Sequence, residues 1–145
     1  MKKLTIFLLM LMLIGINIIF AQDTNLSNNE IELLSRIIYA EAKGEPYIGQ
    51  VAVGAVILNR IDSPDFPNTL AGVIYQPLAF EPVQNGTINQ YVPQDADARR
   101  AAQDALNGYD PTGGCLYFYN PSTATSKWIW SKEIVKTIGK HNFAK

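Results

Sequence analysis

Glu41, Glu45, Glu81, Cys115 and His141 are the side chains whose types and positions suggest chemistry. Ile31, Leu34, Ile37, Ile38 and Glu41 recur at spacings of three and four, so they share one face of a helix. Glu41 is the lone acid at the end of that apolar stripe. Burial disfavours the ionised carboxylate, and the negative end of a helix dipole does too. Both raise the pKa, as a carboxyl requires if it is to arrive protonated as a general acid near neutral pH. The plainer reading is a Glu that snorkels to water or pairs with Arg36 or Lys43. Glu45 lies between Gly44 and Pro46, in a loop, and is the more exposed competitor. Glu81 is the candidate second carboxylate. A retaining glycosidase places its pair roughly 5 Å apart and an inverting one roughly 6.5–9.5 Å apart.

Cys115 and His141 offer a different chemistry, the thiol–imidazole pair of cysteine peptidases and amidases. Against it, Cys115 follows Gly113-Gly114 and opens an apolar strand, where a small buried Cys is ordinary. A Ser126–His141 dyad lacks a nucleophile-elbow pattern. Tyr117, Phe118, Tyr119, Trp128 and Trp130 crowd into a short stretch with Asn120, Ser126 and Lys127. Sugar rings stack on aromatic faces and bond to amides and hydroxyls, so one strand face there is suited to a glycan groove. The alternative is that these rings form the core of a small domain. The residues expected to bind substrate are Glu45, Gln50, Glu81, Tyr117, Tyr119, Asn120, Lys127 and Trp128.

Several elements must hold these groups. Ser27 and Glu30 fit a capping box opening the first helix, and Gly44 and Pro46 close it. Gly49 to Arg60 reads as a buried helix whose Gly and Ala residues allow close packing. Asn68 or Thr69 caps a short helix through Tyr75. Residues 76–93 form a long connection, a kind that is often functional. Gln94 to Asn107 is a helix ended by Gly108. Asp110 to Gly114 turns the chain into a strand, Cys115 to Tyr119, and a second strand runs from Glu133 to Ile138. Helices first and strands last make the class α+β.

Composition narrows the possibilities further. The chain has 145 residues, one Cys and one His, which excludes an intramolecular disulfide and makes a Cys/His zinc site implausible. No metal or cofactor is called for. A net charge of −1 makes nucleic acid an unsuitable partner, since phosphate binding needs clustered positive charge. Lys2 and Lys3, the apolar run from Leu4 to Phe20 and Ala21 read as a secretory signal peptide over residues 1–21, with an uncleaved anchor as the rival. Either way the domain acts outside the cytoplasm. Residues 22–30 then form a short leader and 31–145 the domain. Five lysines against Glu133 alone in 127–145 suit either a hold on an anionic wall polymer or a solvated edge strand.

At these residues the sequence resembles the cell wall hydrolase family of SleB/CwlJ type, the catalytic domain of spore cortex-lytic enzymes. The matching blocks are Arg36-Ile-Ile-Tyr-Ala-Glu-Ala-Lys-Gly-Glu-Pro46, Gly49-Gln-Val-Ala-Val-Gly-Ala-Val-Ile-Leu-Asn-Arg60 and Pro67-Asn-Thr-Leu-Ala-Gly-Val-Ile-Tyr-Gln-Pro77. Asp104 to Gly114, Leu116 to Pro121, Thr125 to Trp130 and Ile138 to Phe143 continue the match. The resemblance implies a helical, lysozyme-like core followed by a small antiparallel β region, and cleavage of peptidoglycan glycan strands. It carries the family's catalytic glutamate to Glu41. It also implies a lytic transglycosylase giving 1,6-anhydro-muramic ends, acting on spore cortex during germination. A water-using muramidase, a cysteine-dependent amidase or peptidase and a non-catalytic glycan-binding module remain alternatives. Little chain lies between the signal and the first helix for the separate wall-binding domain common in spore-cortex members. An accessory wall-binding or regulatory partner is therefore expected, or the binder is dispensed with.

Overall fold

Three helices packed at very short range create the body of the protein, and their close approach follows from small residues at the crossings. The structure, a computed structural model, describes residues 28–145. The signal segment and the Ser27 cap expected from sequence lie outside the described residues. Helix α1 is described over 28–42 and α2 over Tyr47–Ile61. α3 spans Leu70–Ile74, α4 Glu81–Gln84 and α5 Asp97–Leu106. α2 is buried continuously from Gly49 to Ile57, because it lies between other elements and has no solvent face over that stretch. A methyl group at Gly54 would stand 2.9 Å from Ile38 Cδ1 on α1 and 3.1 Å from Ala105 Cβ on α5. Ala98, Ala101, Ala102 and Ala105 form the matching small face of α5.

Leu34, Ile37 and Ile38 are fully buried, so the apolar stripe of α1 faces the core as its periodicity predicts. The end of α1 differs from the expected glycine cap. The helix stops at residue 42, and Gly44 is not among the residues in the left-handed region. A tight turn, with Glu45 N–H donating to the Ala42 carbonyl at 2.9 Å, replaces the cap. Pro46 then serves as the N-cap of α2, a place where its missing N–H costs nothing. Thr69 caps α3 as expected, accepting from Gly72 N–H at 3.0 Å.

The long connection 76–93 contains α4 and a 3-10 turn at Thr87–Asn89. Phe80, Pro82, Ile88 and Val92 are buried and pin it down. Arg99 ties its far end in place, donating to the carbonyls of Pro93 at 3.1 Å and Val92 at 2.9 Å while pairing with Glu32 on α1. α5 begins at Asp97, not Gln94, because the segment before it is spent on this anchorage.

The sheet has three strands where the sequence suggested two. β1 is Tyr117–Tyr119, β2 Ile134–Ile138 and β3 His141–Ala144. Their order is β1-β3-β2, all antiparallel, with Phe118 opposite Phe143 and Ile138 opposite His141. β3 is buried throughout and Phe143 is completely covered. β2 is an exposed edge, and its Lys136 reaches the Pro111 carbonyl at 3.1 Å. That placement fits the solvated-edge reading of the lysine-rich segment. Helices followed by a small antiparallel sheet make the fold α+β, as expected. Ile31–Lys145 form one compact unit.

Candidate active site

Glu41 leaves the last turn of α1 at the edge of the core and faces a cleft of about 440 Å³, a size suited to a small ligand or a short stretch of polymer. Five segments wall this cleft. α1 supplies Glu41 and the end of α2 supplies Arg60. Ala79, Phe80 and Glu81 come from the entry to α4, and Phe118 and Tyr119 from β1. The strap after β1 contributes Asn120, Thr123 to Ser126 and Ile129.

The glutamate is held in an unusual electrostatic state. Its pKa is pushed up from 4.5 to about 7, chiefly by burial and then by the negative charge of Glu81, while Arg60 pulls the other way. Near neutral pH such a carboxyl carries a proton in a substantial fraction of molecules, yet loses it easily. This is the state from which one group can both donate and accept.

Arg60 was not foreseen as a site residue. It is almost wholly buried, its Nε donates to the Leu116 carbonyl at 2.8 Å, and its guanidinium lies 5.0 Å from the Phe66 ring, 5.4 Å from Phe80 and 5.8 Å from Tyr117. The sequence signal was a single cation terminating an apolar helix, which also describes an ordinary C-terminal charge. Glu81 is the first residue of α4, exposed at the cleft rim, with buried Phe80 and Pro82 on either side fixing its backbone.

The other sequence candidates divide into two groups. Tyr119 is buried in the cleft wall with Trp130 against it, and Asn120 lines the cleft while its side chain accepts from Ser122 N–H at 2.9 Å. Tyr117, Trp128 and Lys127 do not line it. Tyr117 meets Trp128 edge-on at 5.1 Å, and Lys132 lies 4.6 Å from both rings, so this cluster braces the strap from outside. Glu45 turns away to the β2–β3 turn, where its Oε2 accepts from Lys140 N–H at 2.8 Å. Gln50 is buried, donates to the Glu45 carbonyl at 3.2 Å, and lies beside Tyr39 and Lys43 at a separate cavity.

Cys115 and His141 do not form a pair. The buried Cys115 Sγ donates to the Thr112 carbonyl at 3.4 Å, and burial pushes the thiol up. His141 sits edge-on against Phe118 and Phe143, and burial holds its imidazole below the usual value despite nearby Glu45. Ser126 lines the cleft, with no hydrogen bond to His141 among the described residues.

Comparison with known proteins covers most of this unit, although the family profile begins just after Glu41. The profile of the Cell Wall Hydrolase family matches residues 44–144. The spore cortex-lytic enzyme of Halalkalibacterium halodurans is 58% identical over 117 residues, covering 81% of this chain and 35% of that enzyme. The crystal structure of the catalytic domain of the Bacillus cereus SleB protein is 53% identical with a TM-score of 0.75, covering 81% of this chain and 91% of that domain. The catalytic domain of the germination-specific lytic transglycosylase SleB from Bacillus anthracis matches equally well, with a TM-score of 0.75, 53% identity and 94% of that domain covered. The chain spans less than half the length of the spore cortex-lytic enzymes it matches first, 35% of one and 45% of another.

Proposed function

The chain belongs to the cell wall hydrolase family, and from that premise we propose that it cleaves peptidoglycan glycan strands as a lytic transglycosylase, with Glu41 as its general acid and base. One observation carries this reading: a single glutamate at the wall of the cleft has its pKa raised to about 7. The Glu41 carboxyl gives its proton to the glycosidic oxygen as the C1–O bond breaks, and the bonding pair leaves with that oxygen. The 6-hydroxyl of the same sugar then closes onto C1, and its proton passes to the Glu41 carboxylate. The acid is restored and no water is consumed. Because the nucleophile is tethered to the reacting centre, the second step needs no activated water. Names of similar proteins favour cortex peptidoglycan as the substrate, and export by residues 1–21 would deliver the domain of residues 31–145 to a wall or spore envelope.

Glu81 keeps a second reading in view. It shares the cleft with Glu41, and a water-using muramidase would draw on such a second carboxylate. Digestion of purified cortex and vegetative peptidoglycan with the wild type and with Glu41→Gln, followed by mass spectrometry of the glycan ends, separates the two. Anhydro-muramic ends from the wild type alone are expected. Reducing ends would transfer the role of base to Glu81, and cut peptides on intact glycan would overturn the glycosidase reading.

A further inference from the structure

Arg60 is the one cationic side chain in the cleft lining. It is fixed there by its Nε bond to the Leu116 carbonyl and by the rings of Phe66, Phe80 and Tyr117. The three ion pairs among the described residues, Glu32–Arg36, Glu32–Arg99 and Asp97–Arg100, all lie elsewhere. Neither Glu41 nor Glu81 closes to within 4 Å of the guanidinium, so its charge acts across the cleft without being consumed in a salt bridge. A guanidinium does not deprotonate in this role. Resting on the proposed reaction, we propose that Arg60 is the positioning charge of the cleft: it holds the Glu41 carboxylate within reach of both halves of its cycle, offsetting the like charge of Glu81.

The physical need arises in mid-reaction. Once Glu41 has given up its proton, the cleft holds two carboxylates against a low-dielectric wall of Phe80, Phe118 and Tyr119. Two unopposed negative charges would make Glu41 too strong a base to release its proton readily in the next turnover. One immobile positive charge leaves the carboxylate stable enough to persist until the 6-hydroxyl delivers its proton. The titratable and charged groups facing Glu41 are Arg60 from α2, Glu81 from α4 and Tyr119 from β1. Lys43 lies just past the end of α1, two residues on in sequence, and His141 with Glu45 lies behind Phe118. Of these, Glu81 and Arg60 act on it most directly and in opposite senses.

The test is the pH dependence of kcat/KM on purified glycan strands for the wild type, Arg60→Met, Arg60→Lys and Glu81→Gln. Removing an opposite charge that is near but not paired raises a carboxyl by about one pH unit. The alkaline limb of Arg60→Met is therefore expected about one unit higher than in the wild type, and that of Glu81→Gln lower. Arg60→Lys is expected to keep the wild-type midpoint even where its rate falls. Should Arg60→Met fail to fold, Arg60→Gln retains a donor for the Leu116 carbonyl and is read in the same way. A folded Arg60→Met or Arg60→Gln enzyme with a reduced rate and an unmoved midpoint would overturn the proposal and leave Arg60 a packing residue. An inactive wild type, or an active Glu41→Gln, would instead strike the proposed function itself.

Discussion

Replacing Gly139 by alanine tests the joint between the helical body and the sheet. Gly139 has φ +57°, the left-handed region, which costs a residue with a Cβ about 1–2 kcal/mol. The added methyl would overlap Glu45 Oε2 and stand 2.8 Å from Pro46 Cδ. The proline ring cannot swing aside, and that crowding adds about 1 kcal/mol. The Glu45 carboxylate can move, but only by giving up the 2.8 Å bond from Lys140 N–H. At that exposed position the bond contributes about 1.5 kcal/mol, the low end for a charged acceptor. Gly139→Ala should therefore lose about 3.5–4.5 kcal/mol, and Glu45→Ala alone about 1.5 kcal/mol. In the double variant the clasp is already gone, so Glu45→Ala should cost almost nothing further, a coupling of about 1.5 kcal/mol. Equilibrium urea unfolding of the four proteins measures this directly. If Glu45→Ala costs the same in both backgrounds, the clasp survives the methyl group and the argument is wrong.

Three other outcomes are expected. Because the folded protein holds the Glu41 proton more tightly than the unfolded chain does, its stability falls as pH rises from about 4.5 to about 7 and then levels off; Glu41→Gln should escape this loss and exceed the wild type by about 3 kcal/mol above pH 8 while cleaving no glycan, as denaturant midpoints across pH would show. Gly54→Ala would ordinarily stabilise a helix, but the contacts to Ile38 and Ala105 should reverse the sign to a loss of about 1–3 kcal/mol in thermal unfolding. The Cys115 thiol is buried, and iodoacetamide should leave both the thiol, by intact-mass measurement, and the activity of the native protein unchanged.

The helical half of the fold was legible because its signals are local. The three-and-four spacing from Ile31 to Glu41 placed the acid at the helix end, whereas Val51, Val53, Val56 and Ile57 favour a strand and only the small residues of Gly49 to Arg60 tip that segment to a buried helix. The sheet was harder to read. His141–Ala144 carries no alternation of apolar and polar residues, since β3 is covered on both faces and pairs along both edges, and four residues are too few to show a period. The cleft was half visible. Glu41 and Glu81 stand out as acids among apolar neighbours, whereas Arg60 owes its position to Phe66, Phe80, Leu116 and Tyr117, which are scattered through the sequence. Tyr117 and Trp128 could not be told from cleft residues, because a ring that stacks on a sugar and a ring that braces a strap have the same composition. Glu45 was misleading for a similar reason: a loop carboxylate four residues from Glu41 can face a substrate or hold a turn, and only the β2–β3 turn, 95 residues away in sequence, decides.

The strand order β1-β3-β2 also imposes a sequence of events. β3 joins the other two strands, yet residues 141–144 follow everything they hold together. A ribosome or an export channel releases the chain from its N-terminal end, so Glu41, Arg60 and Glu81 emerge well before Phe143. Until Phe143 enters the core opposite Phe118, β1 has no partner strand and the wall it offers to Glu41 is not in place. The cleft proposed to cut glycan strands therefore stays unassembled until residues 141–144 have emerged.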